Sequence, residues 1–365
     1  MEALVNPAWA GRRVLVTGDT GFKGSWLSLW LAAMGARVTG FALPPPSEPS
    51  LFEVAGIGEL IDHVAGDVRD LAAVCAAVER ARPEVVFHLA AQPLVRLSYS
   101  EPVETYAVNV MGTVHLLEAV RQSGGVKAVV CVTSDKCYEN REWTWPYRES
   151  DAMGGHDPYS SSKGAAELVV SAWRRSYWQN EGPALASVRA GNVIGGGDWA
   201  ADRLVPDLVR AFEAGAAPLV RSPDSVRPWQ HVLGALHGYL LLAERLLAGE
   251  RQLADGWNFG PSDDDARPVR WIVERMRAAW GEGALPSDAD SGPRPHEAGL
   301  LRLDSSKARA ELGWRPALDL GEAIEWIVQW HQAVARGEDA RAVTLQQIGR
   351  YSASARGTSS AGLAA

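Results

Sequence analysis

The sequence feature that most constrains the fold is a glycine-rich turn near the amino terminus. Residues 14–27 read VLVTGDTGFKGSWL, so a short apolar segment runs directly into Gly18, Gly21 and Gly24, and an amphipathic segment follows. Glycine lets the backbone turn sharply and approach a diphosphate closely, while the next helix offers free N–H groups at its start. The pattern predicts the first strand–helix unit of a dinucleotide-binding fold. A strand–helix turn without a ligand is the alternative.

Strand and helix segments alternate through the first half of the chain. Short apolar segments predict strands at Arg13–Thr17, Arg37–Ala42, Asp62–Ala65, Val85–Leu89, Ala128–Thr133 and Leu185–Arg189. Amphipathic segments between them predict helices at Phe22–Met34, Leu71–Ala81, Thr105–Ser123 and Tyr159–Tyr177. Such alternation requires right-handed crossovers, and it therefore predicts an α/β fold with a Rossmann-type, doubly wound parallel sheet.

After Arg189 the alternation gives way to glycine- and proline-rich loops mixed with helices. We therefore predict a Rossmann domain at residues 1–190, completed by about 231–258. A smaller mixed α/β lobe at 191–230 and 259–335 would bind the substrate. The small, polar residues at 350–365 predict a disordered tail.

Composition argues against several classes of partner. Charged residues make up 22% of the chain and the net charge is −8, so neither nucleic acid nor an anionic membrane surface is an expected partner. No apolar stretch approaches the roughly 20 residues that span a bilayer. Cys75, Cys131 and Cys137 lack a metal-ligand spacing, which predicts reduced thiols, a cytoplasmic protein and no metal site.

Tyr159 and Lys163 are a candidate catalytic pair. They lie four residues apart in YSSSK, so both side chains project from one face of a helix. A nearby ammonium group and a positively charged nicotinamide would both lower the pKa of the tyrosine and make it a base. The spacing by itself is weak, because most such pairs are surface coincidences.

A polar strand end strengthens that hypothesis. In VVCVTSDKCY, residues 129–138, a buried strand ends at Thr133, Ser134, Asp135 and Lys136. Ligands bind at the carboxyl edge of an open parallel sheet, so these residues are expected on the same rim as the glycine turn. The alternatives are helix capping and turn formation for Ser134 and Asp135, and a solvated ion pair for Asp135 and Lys136.

One expected cofactor determinant is missing. An acidic residue at the end of the second strand commonly binds the ribose of NAD, and an arginine there accommodates the extra phosphate of NADP. The chain has neither at Gly40–Leu43. This position therefore does not choose between the two cofactors.

The motifs together resemble the extended short-chain dehydrogenase/reductase superfamily. They are the glycine turn, GDV at 66–68, HLAA at 88–91, Asn109, the Ser/Thr-ended fifth strand and Y-x-x-x-K. Within that superfamily the chain is most similar to nucleotide-sugar 4,6-dehydratases, and most of all to the branch that acts on CDP-glucose. This finer likeness, which extends to about residue 335, lies in AAQPLVRLSY at 90–99, TSDKCYENREW at 133–143, VRAGNVIGGGDWA at 188–200, RPWQHV at 227–232 and GWNFGP at 256–261.

The resemblance implies two sets of binding residues. Those implied to bind NAD are Gly18, Thr20, Gly21, Phe22, Gly24, Asp67, Val68, Leu89, Ala90, Ala91, Asn109, Thr133, Tyr159 and Lys163. Those implied to bind the nucleotide sugar are Gln92, Arg96, Asn192, Trp199, Arg203, Arg227 and His296. In this scheme Asp67 and Val68 contact the adenine, whereas Asn192 and Arg227 contact the nucleotide diphosphate.

The resemblance also implies a reaction. Tyr159 and Ser134 would act on the 4-hydroxyl of the sugar, and Lys163 would hold the nicotinamide ribose. Asp135 would be the acid for the hydroxyl that leaves in the elimination. The role of Lys136 stays open between a base, if it is largely neutral, and a cation that stabilises the enolate. Relatives pair their counterparts of the helices at 105–123 and 159–177, which predicts a homodimer or a higher homo-oligomer.

Other functions account for only part of this pattern. A nucleotide-sugar 4-epimerase needs Tyr159 and Lys163 but no acid–base pair for elimination, so Asp135 and Lys136 favour a dehydratase. GDP-mannose 4,6-dehydratase would carry a carboxylate in place of Lys136. A non-catalytic dinucleotide sensor would be expected to have lost Tyr159 or Lys163. A dehydratase for another nucleotide sugar stays open, because the residues do not distinguish the bases.

Overall fold

A seven-stranded, wholly parallel sheet is the largest element of the computed structural model, which describes residues 4–289 and 298–361. Its strands run in the order β10-β6-β5-β4-β1-β2-β3. The strands are β1 Arg13–Thr17, β2 Arg37–Ala42, β3 Asp62–Ala65, β4 Val85–His88, β5 Ala128–Val132, β6 Ala184–Ala190 and β10 Gly256–Phe259. Successive strands are added on one side of β1 up to β3 and on the other side from β4 onwards, as in doubly wound dinucleotide-binding folds. The predicted fold class is therefore confirmed.

The remaining strands form two small sheets. One has the order β11-β9-β7 and the other pairs β12 with β8. Their strands are β7 Asn192–Ile194, β8 Leu219–Val220, β9 Val226–His231, β11 Ala266–Pro268 and β12 Asp288–Ala289. Because β9 is parallel to β7 and antiparallel to β11, the first of these is the mixed sheet expected for the smaller lobe.

Helices cover both faces of the main sheet. In the described ranges they are α1 Phe22–Ala33, α2 Leu51–Val54, α3 Leu71–Ala81, α4 Val95–Ser100, α5 Pro102–Tyr106, α6 Gly112–Ser123, α7 Pro158–Ser176, α8 Leu204–Glu213, α9 Val232–Leu247, α10 Val269–Trp280, α11 Ser306–Glu311, α12 Leu320–Ala335 and α13 Ala340–Ala361. A π-helical turn at Ala107–Met111 joins α5 to α6, so the predicted helix from Thr105 is longer and less regular than expected. None of these helices is long and apolar enough to cross a membrane.

The strand β1 shows how the sheet divides the core. Val14 and Val16 pack in a cluster with Trp26 of α1 and Leu233 of α9 on one face. Leu15 points the opposite way and packs in a second cluster with the helices α3 and α6. Successive side chains of a strand alternate between faces, so a strand buried on both sides reads as a continuous apolar segment.

The prediction of a disordered tail at 350–365 is wrong for the residues that the structure describes. Helix α13 continues to Ala361, and Tyr351 is fully buried with its ring 6.1 Å from that of Trp30. Ile348, Tyr351 and Ala355 recur at helical spacing and pack in the core cluster that also contains Trp30. Small polar residues between them concealed this apolar stripe. Residues 362–365 lie outside the described ranges.

Candidate active site

The glycine turn has the shape of a diphosphate cradle. Gly18 has a φ of +75°, and a Cβ atom there would lie 2.7 Å from the amide nitrogen of Ala90. A Cβ atom at Gly24 would overlap the carbonyl oxygen of Gly18. At Gly21, by contrast, a Cβ atom would meet only that oxygen, at 3.4 Å, so this side of the turn is open. The packed and open sides together fit a dinucleotide diphosphate at the start of α1.

Two other residues expected to bind the cofactor, Thr20 and Asn109, hold neighbouring loops in place. The Thr20 hydroxyl donates to the Leu43 carbonyl at 2.9 Å, which joins the glycine turn to the end of β2. The Asn109 amide accepts from the Gln92 N–H at 2.9 Å and donates to the Ser162 hydroxyl at 2.9 Å. This asparagine therefore holds the loop after β4, including Leu89, Ala90 and Ala91, against α7.

Asp67 and Val68, the residues expected at the adenine, follow β3, which lies beside β2 at the edge of the sheet. The Asp67 carboxylate accepts from Arg69 Nε at 2.9 Å, and this hydrogen bond lowers the pKa of Asp67. Val68 is buried in the core cluster that covers one face of the sheet. These two residues form one end of the edge that also carries the glycine turn.

Tyr159 and Lys163 both lie in α7, one helical turn apart. Asp157 caps α7 by accepting from the Ser160 N–H at 2.9 Å, and Pro158 occupies its first turn. Tyr159 and Lys163 follow on one helix face and are 8% and 5% exposed, respectively. Because both side chains are buried, they are not a coincidental pair of surface residues.

The pKa of Tyr159 differs from the expectation. Burial raises it to about 12, and the hydrogen bond with Ser134 opposes this rise only in part. Burial also lowers the pKa of Lys163 to about 8. For Tyr159, desolvation therefore outweighs the lowering of the pKa that was inferred from the spacing.

The strand end at Ser134 forms the second half of the site. The Ser134 hydroxyl donates to Asp135 Oδ1 at 3.0 Å and accepts from the Lys136 N–H at 3.2 Å. Lys136 Nζ lies 3.8 Å from the same Asp135 oxygen. The other oxygen, Oδ2, is buried with no hydrogen-bond partner. An unpartnered buried carboxylate oxygen is costly. Asp135 is fully buried and, unlike Ser134 and Lys136, does not line the adjoining cavity.

A cavity of about 470 Å³ opens between this rim and the mixed sheet. The carboxyl ends of β5 and β6, the start of α7, and β9 all contribute to its wall. The predicted site residues that line it are Phe22, Arg96, Thr133, Ser134, Lys136, Tyr159, Asn192, Arg203 and Arg227. Its size and mixed polar lining suit a ligand such as a nucleotide sugar.

Two predicted substrate residues that the structure describes, Gln92 and Trp199, do not line this cavity. The Gln92 side chain bonds Leu94 in its own loop and the Thr105 hydroxyl of α5. Trp199 packs edge-on against Trp330, with ring centroids 5.6 Å apart. His296 lies outside the described residues.

Arginine and asparagine groups from the smaller lobe face the cavity. Arg203 Nη1 lies 2.9 Å from Asp198 Oδ2, and the buried Asn192 Oδ1 has no hydrogen-bond partner. The Arg227 guanidinium donates from Nη1 to the Val226 and Gly299 carbonyls at 3.0 and 3.3 Å, and from Nη2 to the Ala298 carbonyl. These bonds hold its planar group in a fixed orientation at the wall of the cavity.

Two residues in or beneath the site were missed by the sequence reasoning. Lys23 lines the cavity, but it occupies a variable position inside the glycine motif, so the motif gave no signal for it. Glu167 lies under the site and pairs with Arg189. Its spacing of four residues from Lys163 placed it on the same helix face and was an available signal. In the described ranges no group of His, Cys, Asp and Glu is arranged to hold a metal.

Comparisons with known proteins agree with this geometry. The family model described as GDP-mannose 4,6 dehydratase matches residues 15–327. A CDP-glucose 4,6-dehydratase of Salmonella typhimurium is 55% identical over 348 residues, which cover 94% of this chain and 97% of that protein. A probable dTDP-glucose 4,6-dehydratase of Sinorhizobium fredii is 26% identical over 331 residues, covering 87% of this chain and 92% of that protein.

Solved structures share the fold over most of the chain. MoeE5 in complex with UDP-glucose and NAD has a TM-score of 0.74 and 26% identity, covering 88% of this chain and 99% of that one. DesIV, a dTDP-glucose 4,6-dehydratase from Streptomyces venezuelae, has a TM-score of 0.76. At 23% identity, and covering 89% of this chain and 98% of that one, it supports the fold alone. With its family match and a relative that shares more than half of its residues, this chain belongs to the GDP-mannose 4,6 dehydratase family of nucleotide-sugar dehydratases.

Proposed function

We propose that this protein converts CDP-glucose to CDP-4-keto-6-deoxyglucose and water in an NAD-dependent reaction. The observation that carries the proposal is the Asp135 carboxylate, which lies beside Ser134 with one buried oxygen unpartnered. An epimerase has no elimination step that would need such a group. The 55% identity to a CDP-glucose 4,6-dehydratase supports the choice of substrate.

NAD is the cofactor that fits the glycine turn. When held there, NAD⁺ would supply the hydride acceptor for oxidation at carbon 4 and, once reduced, the hydride donor for carbon 6. Gly18 packs closely against Ala90, which fixes the turn. The open side of Gly21 leaves room for the cofactor diphosphate. MoeE5 and DesIV were crystallised with NAD, which supports NAD over NADP.

Tyr159, Ser134 and Lys163 would perform the oxidation. As the hydride leaves carbon 4, Tyr159 takes the proton of the 4-hydroxyl, and Ser134 holds that oxygen. Burial raises the pKa of Tyr159 to about 12, so this pKa must fall for the proton transfer. Tyr159 would be deprotonated more easily beside NAD⁺ held in the glycine turn, because a nearby positive charge stabilises a phenolate.

Asp135 and Lys136 would perform the elimination. The new 4-ketone acidifies the hydrogen on carbon 5, and a base removes that proton. The carbon 6–oxygen bond then breaks, and the leaving hydroxyl takes a proton from Asp135 and departs as water. When hydride adds to carbon 6, the protonated base would return a proton to carbon 5, which completes the 4-keto-6-deoxy sugar. We assign Lys136 as the base, because its side chain lines the cavity next to Asp135.

The smaller lobe would bind the nucleotide. We propose that Arg227, Arg203 and Asn192 hold the diphosphate, because they line one side of the cavity and arginine binds phosphate through two N–H groups. This arrangement also supports the division between a Rossmann domain at 1–190 with about 231–258 and a substrate-binding lobe at 191–230 and 259–335.

We further propose that the protein is a cytoplasmic homodimer. Val103, Met111 and Leu168 are 83%, 46% and 63% exposed, and they lie on α5, the π-helical turn and α7. Exposed apolar side chains on neighbouring helices are typical of a subunit interface. The three cysteines are unbonded thiols, which suits a reducing compartment.

The purified protein should be incubated with CDP-, dTDP-, UDP- and GDP-glucose, with and without added NAD⁺. We expect CDP-glucose to give the alkali-absorbing 4-keto-6-deoxy product. Tyr159→Phe should abolish that product, whereas Tyr106→Phe, a change at a more exposed tyrosine, should not. An epimer as the product would contradict the dehydration, and preference for another nucleotide would contradict the substrate.

The role of Lys136 needs its own experiment. Exchange of the carbon-5 hydrogen with deuterated solvent reports removal of that proton. If Lys136 is the base, Lys136→Met should abolish exchange, and Lys136→Glu should alter its rate and pH dependence. Unchanged exchange in Lys136→Glu would remove Lys136 from this role.

A further inference from the structure

Tyr138 lies two residues after Lys136, at the end of the segment that carries the proposed elimination pair. A short 3₁₀ turn at Asp135–Cys137 holds that pair, and Tyr138 follows the turn directly. The Tyr138 side chain is buried at the wall of the cavity that Lys136 also lines. The proposed reaction gives this tyrosine no role.

The turn has only weak hydrogen bonds of its own. The Ser134 hydroxyl accepts from the Lys136 N–H at 3.2 Å, and the Cys137 N–H donates to the Ser134 carbonyl at 3.3 Å. Both distances are long for such bonds, and 3₁₀ geometry is poorer than that of an α-helix. The orientation of Asp135 and Lys136 therefore depends on what holds the two ends of the turn.

One buried ion pair holds both ends. At the start of the segment, the Thr133 hydroxyl donates to Glu167 Oε1 at 2.5 Å. At its end, Arg189 Nη1 donates to the Tyr138 hydroxyl at 2.6 Å. Glu167 and Arg189 are joined to each other at 2.7 and 2.8 Å. The segment between these ends is therefore clamped by a single charged pair.

The Tyr138 side chain has further restraints. Its hydroxyl donates to Oδ1 of Asn258, a fully buried residue of β10, at 2.8 Å. Tyr147 stacks on its ring, with centroids 5.2 Å apart and planes at 15°. Arg189 Cζ lies 5.1 Å from the centroid of the Tyr138 ring, within the range of a cation–π contact. Ring packing and the two hydroxyl bonds thus fix Tyr138 against β6 and β10.

We propose that Tyr138 is a positioning residue for the elimination step. Its bonds with Arg189 and Asn258 fix the end of the turn, and this keeps Lys136 at the cavity wall with Asp135 beside it. The inference rests on the dehydration proposed above.

The oxidation step has a different anchor. Tyr159 belongs to α7, and Ser134 directly follows Thr133, which Glu167 holds. The hydroxyl bonds of Tyr138 run instead to β6 and β10. Removing that hydroxyl should therefore impair elimination more than oxidation.

Tyr138→Phe keeps the ring and removes both hydroxyl bonds. Because a displacement of about 1 Å can cost a factor of about 10², elimination should slow by about 10- to 100-fold, and oxidation of CDP-glucose should change by less than about threefold. Absorbance of reduced nicotinamide reports oxidation, and the 4-keto-6-deoxy product reports the complete cycle. The ratio of the two rates does not depend on the fraction of folded protein, so it separates positioning from simple destabilisation.

Tyr147→Phe is the matched control. Tyr147 is 2% exposed, and its hydroxyl bonds the loop at Asn140 and Arg141 instead of the ion pair. This variant should keep the ratio of the two rates within about twofold of the wild type, because the clamp is intact. An equal shift of the ratio in both variants would contradict a specific role for Tyr138.

Arg189→Lys tests whether Tyr138 acts through Arg189. Lysine keeps a positive charge beside Glu167 but lacks the planar fork that also reaches Tyr138. This variant should shift the ratio in the same direction, and adding Tyr138→Phe to it should have little further effect, because residues in one network are not additive. Additive effects in the double variant would contradict the inference.

Amide hydrogen exchange tests the clamp without any substrate. In Tyr138→Phe the peptide covering residues 134–138 should exchange about tenfold faster than in the wild type, because the end of the turn is released. Unchanged exchange in a folded variant, or equal slowing of both steps, would overturn the inference. Faster exchange, in a protein whose wild type oxidises no nucleotide sugar, would support the clamp and contradict the proposed reaction. Dehydration by the wild type with unchanged exchange in the variant would do the reverse.

Discussion

Glu167 and Arg189 form a two-pronged ion pair beneath the active site, with Nε–Oε1 at 2.8 Å and Nη2–Oε2 at 2.7 Å. Glu167 lies one turn beyond Lys163 on α7, and Arg189 is in β6. The same carboxylate accepts from the hydroxyls of Thr133 at 2.5 Å and Ser187 at 2.7 Å. The pair therefore fixes the catalytic helix to the strands that end at the rim.

Glu167→Ala should lower the free energy of unfolding by about 3–5 kcal/mol, because it leaves Arg189 buried without a counter-charge. Both side chains are at most 5% exposed, so solvent cannot replace the lost partner. Urea unfolding measures the effect. Glu325→Ala, which breaks an exposed pair with Arg275, is the control and should cost much less. Equal losses in both variants would contradict a special role for the buried pair.

Gly24→Ala should weaken NAD binding and destabilise the protein by about 1–3 kcal/mol. Its new Cβ atom would overlap the Gly18 carbonyl and lie 2.8 Å from the Cα atom of Asp19, so the backbone of the turn must move. Gly349→Ala is the control, because its Cβ atom meets nothing within 4 Å and the residue lies inside α13. That change should stabilise the protein by about 0.5–1 kcal/mol. Thermal unfolding and NAD titration distinguish the two outcomes.

Asp135→Asn should separate oxidation from elimination. An amide cannot supply the proton for the leaving hydroxyl, so dehydration should slow by about 10²–10⁴-fold. Oxidation by Tyr159 should continue, and the absorbance of reduced nicotinamide should rise and persist after CDP-glucose is added. Loss of both steps together in a folded variant would show that Asp135 also serves the oxidation.

Lys163→Met should make the protein more stable at neutral pH while abolishing activity. Burial lowers the pKa of Lys163 from 10.5 to about 8, so the folded state opposes the charge that the unfolded chain carries. This penalty, on the order of 3 kcal/mol, is fully present below about pH 8. Between pH 8 and 10.5 the unfolded chain binds more protons, so the wild type gains stability as pH rises. Unfolding free energies measured across this range should therefore converge; a constant difference would contradict the lowered pKa.

Local spacing was sufficient to predict the elements that define the family. The Gly18–Gly24 turn follows a buried strand in the sequence, and helix geometry alone places Tyr159 and Lys163 on one face. The strand–helix alternation of the first half predicts a parallel sheet, because chain sterics allow few other arrangements. The expected position of Asp135 at the rim followed from the end of its strand. All of these features depend on neighbours within a few residues or on a regular repeat.

Only the tertiary structure decided the features that depend on distant neighbours. The pairing of Glu167 with Arg189 and the burial of Tyr351 against Trp30 join residues far apart in the chain. The pKa of Tyr159 is raised by desolvation, and residue spacing in the sequence does not show how deeply a side chain is buried. Lys23 gained its charged surroundings from α7 and from loops at the rim. Burial and long-range electrostatics are properties of the assembled fold, so the sequence determined the residue types but not the environments in which they act.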